Sequence, residues 1–375
     1  MIDVQAKPAP LKKDWVNIIF LTFTPIIGIA GTAWYTWRTG FEWWMLGLFV
    51  VMYLLVGLSI CGGYHRYFSH KSYECSKAVQ YFYAFFGALA AQNSILWWSS
   101  SHRTHHSHVD EDWDPYNIKR GFLWAHVLWI FYRNPANENL ANAPDLVKSD
   151  VVQWQNRWNK VILIVGGFGI PTLIGAMFGN AWAGLLWGGF LRVVVIHHTT
   201  FFVNSLAHFL GEQRYSADVS ARDNWIVALA TLGEGYHSFH HRFPADFRNG
   251  ILWFHWDPAK WFIRALKATG LAWDLKTTPA PIIEQARMHA AVKSVEQAIA
   301  EAPANRGDEI RQRIANAKAS LDHAFTLWRQ HTEERARGMS ASWKEKRRQS
   351  RRLVRQARRE WRMALRMVTR LPESA

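Results

Sequence analysis

The chain has 375 residues, 49% of them hydrophobic and 15% aromatic, a formal net charge of +15 and only two cysteines, Cys61 and Cys75. So few cysteines argue against a disulfide scaffold or a cysteine-based zinc site. The length would suit two soluble domains, but the apolar residues collect in long blocks rather than at amphipathic spacing, which points to a membrane protein instead.

Four blocks are long enough to cross a bilayer core, which takes roughly 20 apolar residues in a helix. They are predicted at 15–37, 41–63, 161–178 and 181–202, the second carrying only Glu42 and the fourth only Arg192. Trp15, Trp34, Trp37, Trp43, Trp44 and Trp182 stand near block ends, as an aromatic belt requires. The blocks are too long, and lack the cleavage pattern, for a removable signal peptide. Lys7, Lys12 and Lys13 precede the first block, the joints inside each pair hold one basic residue between them, and the long segments outside are rich in Lys and Arg. The positive-inside rule therefore puts both termini and both long segments in the cytoplasm, with the spans arranged as two hairpins. The stretch Ala78–Trp98 could pass for a fifth span. An odd number would separate the two basic segments, so it is expected as a hairpin or interfacial helix on the membrane.

No strand alternation and no internal repeat is visible, so the expected fold is all-α. A membrane domain over 1–275 would consist of the spans and a cytosolic helical cap from 64–160 and 203–275. A linker at 276–282 follows, where Pro279 and Pro281 stop a helix, and then a basic helical extension over 283–375, divided at Pro303 and Gly307. The extension holds 21 Lys and Arg against 11 Asp and Glu, a net +10. Beside four spans, an anionic lipid surface is a nearer partner for it than nucleic acid, which is not expected. A solvated charged helix without a specific partner is the other reading.

The 17 histidines are clustered. His65-Arg66-Tyr67-Phe68-Ser69-His70 follows the second block, His102-Arg103-Thr104-His105-His106 lies in the first long segment, and His237-Ser238-Phe239-His240-His241 in the second. Positions i, i+3 and i+4 share a helix face, so each H-x-x-H-H run should offer three imidazoles to one centre. Asn204 and His208, four apart at the end of the fourth block, do the same. Nine imidazoles and an asparagine on one membrane face are too many for one ion and about right for two, at roughly four to six ligands each. All-imidazole sites suit Zn, Cu, Fe or Ni. The carboxylate base beside a hydrolytic zinc, as in H-E-x-x-H, is missing. Two irons sharing dioxygen is the reading that uses every ligand.

In their order, HRYFSH, HRTHH and EGYHSFHH, with NSLAH upstream of the last, resemble the histidine boxes of the membrane fatty-acyl desaturases of the stearoyl-CoA desaturase type. The likeness spans about Asp14 to Leu275 and includes Asp114-Pro115, Lys119-Arg120-Gly121-Phe122 and Gly270-Leu271-Ala272. It implies that the boxes hold a diiron centre, with Asn204 reaching metal through water. It also implies an oxygen-dependent insertion of a cis double bond, commonly at the ninth carbon (delta-9) of a saturated chain, using two external electrons. By the same resemblance Gln92, Asn93, Trp98 and Thr200 would line the bend of a narrow tunnel, with Tyr53 and Gly57 closing its far end. Where the acyl-CoA enzymes carry an Arg-Asp pair before the second box this chain has Ser100 and Ser101, and of a later Arg-Lys pair it keeps Arg133, followed by Asn134. Fewer phosphate-gripping charges weaken the case for CoA specifically. Acyl-CoA stays the first expectation, ahead of an acyl-carrier-protein thioester or a lipid-borne chain. The extension shows no H-P-G-G motif of a cytochrome b5-like domain, so electrons are expected from a separate carrier such as a ferredoxin, a rubredoxin or cytochrome b5.

Other histidines carry smaller expectations. His197 and His198 lie within the fourth block and are not expected as ligands. His108, Asp110, Glu111, Asp112 and Glu234 are candidates to accept the outward N–H of a metal-bound imidazole. His126 and His255 are expected in packing or capping, His289, His323 and His331 lie in the extension, and Arg192 needs a partner that the sequence does not name. Two competing readings remain. A hydroxylase or ketolase on the same metals would add oxygen instead of removing hydrogen. A metal transporter or sensor would place its ligands near the bilayer midplane at broken helices.

Overall fold

The computed structural model describes residues 11–133, 140–300, 307–336 and 343–368. Lys7, Asn134 and Pro303 lie outside them. Four helices are long and apolar enough to cross a membrane: α1 (Trp15–Thr39), α2 (Trp43–Ser69), with α5 (Asp150–Met177) and α6 (Ala181–Phe209) after the first long segment. Between the pairs lie α3 (Lys77–Ala88) and α4 (Ile95–Ser107). Asp14 caps α1 by accepting from the N–H groups of Val16 and Asn17, and Asn180 caps α6 by accepting from Ala183 N–H. Gly40 and Gly179, both at positive φ, end α1 and α5, where left-handed backbone favours glycine. The outward faces are apolar: Ile164, Leu173, Met177 and Trp182 are each more than 60% exposed, as a lipid-facing surface requires.

The spans are where the sequence places them, but three of the helices run further. Span two continues six residues beyond its apolar block to Ser69, span four continues to Phe209, and span three starts as early as Asp150. Hydropathy reports only the part of a helix that meets lipid. The polar turns beyond it are held by the cap. The stretch Ala78–Trp98 is no fifth span: it is α3, a tight turn and the start of α4.

All four span helices contain a π-helical segment, at Ile26–Gly31, Ser59–Ser69, Leu163–Gly169 and Leu185–Leu191. Spans three and four approach so closely that a Cβ on Gly184 would lie 2.2 Å from Pro171 O and 2.8 Å from Gly175 Cα. Small residues at such a crossing let membrane helices pack on backbone contacts.

The cap is tied to the ends of spans two and four. Arg103 of α4 donates to Phe68 O and Ser69 O at the end of span two, at 2.7 and 3.0 Å, and pairs with both oxygens of Asp145. Further along lie α7 (His237–Arg242) and α8 (Pro258–Ala268). Among the described residues strands are limited to two-residue pairings, β1 (Lys12–Lys13) with β3 (Tyr132–Arg133) and β2 (Glu74–Cys75) with β4 (Ala272–Trp273). The fold is all-α, as expected. The joints between paired spans lie at the end opposite the cap, so all three histidine boxes and His208 share one side. Both cysteines are buried and unbridged.

The chain separates into two compact units, Met1–Glu212 with Val219–Thr277, and Gln213–Asp218 with Thr278–Ala375. The second is built from α9 (Ala280–Ala300), α10 (Gly307–Ala336) and α11 (Trp343–Val368). Pro281 falls in the first turn of α9, where its missing N–H is no loss. Its core includes Val292, Leu321, Phe325, Val354, Ala357 and Trp361. On α11, Ser350, Val354, Ala357 and Trp361 face inward at helical spacing, leaving Arg351, Arg352, Arg355 and Arg359 exposed. His289 pairs with Asp322, and His331 with Ser350.

Because the atoms opposing Gly184 are backbone and cannot turn aside, Gly184→Ala should destabilise the bundle by about 1–3 kcal/mol, an overpacking cost. Thermal unfolding in detergent, with Gly47→Ala as the control where a Cβ meets nothing within 4 Å, measures it.

Candidate metal centre

His65 lies in the π-helical end of span two, and His70 N–H donates to His65 O at 3.2 Å. That is an i→i+5 bond. An α-helix would turn two residues five apart to different faces, whereas the wider turn stacks them, and their ring centroids lie 5.0 Å apart. π-Segments of this kind often mark functional sites. The second box occupies the last turns of α4, the third forms α7, and His208 sits on a short turn beyond an irregular joint at Ser205 that ends the regular part of span four.

These elements bring all nine box histidines together in two groups. His65, His70, His102, His106 and His240 form one, and His105, His208, His237 and His241 the other, the candidate donor atoms of each lying within 4.8 Å of one another. The expectation that each H-x-x-H-H run sends three rings to one centre needs correction. The i and i+4 rings stay together in the second box, His102 with His106. The i+3 ring, His105, turns to the other group. In the third box His237 and His241 stay together and His240 crosses. Positions i+3 and i+4 are about 100° apart around a helix of 3.6 residues per turn, so one short helix can serve two neighbouring centres.

Every one of the nine rings presents Nε2 inward. His65 and His240 are 2.9 Å apart at these atoms, His70 and His102 2.8 Å, and His106 and His240 3.0 Å. In the other group His208 and His237, and His237 and His241, are 3.0 Å apart, and His105 and His241 3.3 Å. Imidazoles at right angles around an ion roughly 2.1 Å away would have their nitrogens about 3.0 Å apart. Several rings are fixed from behind. His65 Nδ1–H donates to Glu234 at 2.7 Å and His105 Nδ1–H to Asp114 at 2.8 Å. His102 Nδ1 meets Tyr116 Oη at 3.2 Å, and His208 Nδ1 meets Ser220 Oγ at 2.7 Å. With its proton held at Nδ1, a neutral ring turns a bare lone pair inward. Each group thus holds one carboxylate-backed and one hydroxyl-backed ring. The donor set fits metal, and five and four imidazoles with open positions between them fit two ions better than one.

Of the expected outer acceptors, Glu234 is in direct contact and Asp110 acts one bond removed, binding Ser220 through N–H at 2.7 Å and Oγ at 2.5 Å. His108 and Glu111 pair with each other near the surface instead. Asp112 is exposed and meets none of the nine rings. Asp114 and Tyr116 were missed as acceptors, although a D-x-Y pattern just past the second box was their signal. Ser220 had none. Arg66 is a further residue that sequence reasoning did not single out. Fully buried, it pairs with Glu234 and Asp257, each at 2.9 Å, and donates to Phe247 O. Burial alone would raise the Glu234 carboxyl, yet neighbouring His65 and Arg66 hold it at about 2.

A cavity of about 1190 Å³, its opening included, reaches His65, His102 and His237 from between the spans. Tyr53, Gly57, Gln92, Asn93, Trp98, Thr200 and Asn204 all line it. Gln92 donates to Thr200 Oγ1 at 2.9 Å and accepts from Trp98 Nε1 at 3.1 Å. Tyr53 Oη donates to Ala230 O. Arg133 does not line the cavity. It sits on β3, more than half exposed, in an ion pair with Asp14. Ser100 is buried and bonds Asn142. His126 bridges Ser205 and His198, and His255 stacks on Tyr236.

A helical membrane protein whose histidine clusters could hold a dimetal site is the class that fold and geometry define. The fatty acid desaturase family model matches residues 41–275. Acyl-CoA desaturase 1 of Saccharomyces cerevisiae is 39% identical over 287 residues, 75% of this chain and 55% of that protein. The sn-2 palmitoyl-lipid 9-desaturase of Nostoc sp. is 36% identical over 271 residues, 71% of this chain and 91% of its own. Stearoyl-CoA desaturase 5 of Homo sapiens is 34% identical over 241 residues, 62% and 72%. The chain belongs to the fatty acid desaturase family, and it spans little more than half the length of the yeast relative.

Burial, then the charge of neighbouring rings, holds His70, His102, His106, His237, His240 and His241 well below the usual imidazole value of 6.5. Between those lowered values and 6.5 the unfolded chain binds protons that the folded site refuses. Stability is therefore full above that range and falls as pH drops through it. The Glu234 contribution goes later, from 4.5 down toward about 2. Denaturant unfolding of the metal-free protein at a series of pH values should show stability beginning to fall below about pH 6.5. Stability that held constant from pH 7 down to about pH 4.5 would contradict it.

Asp114→Asn should weaken metal retention by about 10–100-fold while His108→Ala leaves it unchanged. Elemental analysis after mild chelation distinguishes the two.

Proposed function

We propose that this membrane enzyme inserts a cis double bond, at the delta-9 position, into a saturated long-chain acyl thioester, with acyl-CoA the first candidate. The observation that carries the reading is the convergence of nine Nε2 atoms in two groups at the inner end of an apolar cavity. His65, His70, His102, His106 and His240 would hold one iron, and His105, His208, His237 and His241 the other, with Asn204 on the cavity side reaching metal through water. When bound, the pair supplies with dioxygen the oxidising power to remove two hydrogens from an unactivated chain. Overall, a –CH2–CH2– unit, O2, two electrons and two protons become –CH=CH– and two waters.

The rest is positioning, a contribution worth several kcal/mol. Gln92, held between Thr200 and Trp98, together with Asn93 would turn the chain beside the metals. Tyr53, a wall residue of the cavity bound to the backbone at Ala230, would close its far end. At Gly57 an added Cβ would meet Leu232 Cδ1 at 2.7 Å, so that wall is already closed by Leu232. An apolar enclosure excludes water and keeps the oxidant on the chain. Arg133 is engaged by Asp14, so gripping a CoA phosphate there would compete with that ion pair. A sn-2 palmitoyl-lipid 9-desaturase among the relatives keeps a lipid-borne chain as the alternative substrate.

The positive-inside pattern supports a cytoplasmic cap and cytoplasmic termini. Electrons would come from a separate carrier such as a ferredoxin, a rubredoxin or cytochrome b5. The basic extension would raise its encounter rate if it is acidic.

Expression in a host unable to make unsaturated fats should restore growth and yield products two hydrogens lighter than the substrate. Mass spectra of the acyl-CoA pool and the membrane lipids identify the carrier. A gain of one oxygen would mark a hydroxylase instead. Truncation after Pro281 should slow turnover with the native reductant, and the loss should shrink as salt rises. Turnover unaffected by truncation at low salt would remove the steering role.

A further inference from the structure

Arg192 is the least expected residue of the spans. It is fully buried within α6, and its recorded partners among the described residues are all backbone carbonyls. Its Nε donates to Gly188 O at 3.1 Å, one terminal nitrogen to Gly167 O at 2.8 Å and the other to Leu89 O. A permanently charged guanidinium inside a membrane bundle is costly, and a neutral side chain would be the cheaper filler. What the guanidinium alone offers is a fork of donors. Here it spends them on span three, on its own helix and on the end of α3.

Leu89 opens the turn between α3 and α4. A helix end leaves carbonyls without partners, and this one lies among apolar spans. His197, five residues beyond Arg192 on the same helix, supplies the next donor: its Nε2–H is shared between Ala90 O at 2.9 Å and Ala91 O at 3.2 Å. Thr200 then receives Gln92. Four successive residues of the turn, Leu89 to Gln92, are thus bonded to three side chains of one helix. Within the turn, Ala91 and Asn93 hold φ of +57° and +69°, a left-handed backbone that a non-glycine residue keeps only where its surroundings impose it. Ala91, Gln92 and Asn93 are also wall residues of the cavity.

We propose that Arg192 and His197 are positioning residues that set the bend of the cavity by fixing the backbone of the Leu89–Asn93 turn, and thereby decide which carbons of the acyl chain meet the metals. The inference rests on the desaturase reading. Neither residue need touch a reacting atom. His197 commits Nε2 as a donor to carbonyls, so it acts on the cavity wall and not as a ligand.

The test uses the full chain in membranes. Double-bond position is read by mass spectrometry of derivatised products, alongside metal content and total turnover. His197→Phe keeps a ring and removes the donor, His197→Gln keeps an N–H, and Arg192→Lys keeps the charge and loses the fork. In His197→Phe and Arg192→Lys the ratio of the main positional isomer to its neighbours should fall about tenfold, equivalent to about 1.4 kcal/mol between competing registers, with metal content unchanged. His197→Gln should restore most of that ratio. Metal-loaded, active His197→Phe and Arg192→Lys enzymes that make the unsubstituted enzyme's isomer pattern would overturn the proposal. If Arg192→Lys fails to accumulate, the His197 pair decides alone. An unsubstituted, metal-loaded enzyme that makes no olefin would remove the underlying desaturase reading, a different failure from an unchanged isomer pattern.

Discussion

The structure depends on one buried knot of charge. Arg66, next to the first candidate ligand in span two, is held by Glu234 and Asp257 from the last part of the membrane unit. Asp257 in turn accepts from the N–H groups of Asn249, Gly250 and Lys260, and Glu234 accepts from His65. Taking one partner from such a cluster strands a buried charge, at a cost of about 3–5 kcal/mol. The same contacts that close the cap on span two orient a ring of the candidate centre, so fold and site are not separable here.

The two imidazole groups share a plan. Each has a ring backed by a carboxylate, His65 on Glu234 and His105 on Asp114, and a ring backed by a hydroxyl, His102 on Tyr116 and His208 on Ser220. Carboxylate backing raises the basicity of the far nitrogen more than a neutral oxygen does. The crossing of His105 and His240 between groups ties them mechanically. Neither α4 nor α7 can shift without disturbing both.

Much of this was legible in the sequence, and for identifiable reasons. Apolar blocks report lipid contact directly, so four spans and their pairing could be read. Histidines at i, i+3 and i+4 report a shared helix, so the nine rings could be read too. How they divide could not, because it depends on where each helix sits relative to two centres. The partnership of His65 with His70 depends on a wider helical turn that no spacing rule for α-helices anticipates. Arg66 and Arg103 looked like ordinary members of their boxes, since their carboxylate partners stand over 40 to almost 200 residues away. The pairing of Arg133 with Asp14 could not be read either, because 119 residues separate the two. Arg192 posed its question in the sequence, yet its answer, three carbonyls, carries no side-chain signature at all.

The long reach of Arg66 also says something about how the protein is made. Glu234, the third box and Asp257 all follow the last span in the chain, so they are synthesised after all four spans. Until then the guanidinium at the foot of span two has no counter-ion and the first five imidazoles have no companions on the far side. The nascent chain therefore passes through a stage in which its spans are complete but its cage cannot close. Final docking of its last membrane-unit segment is at once the completion of the tertiary structure and the point at which both groups of imidazoles are whole.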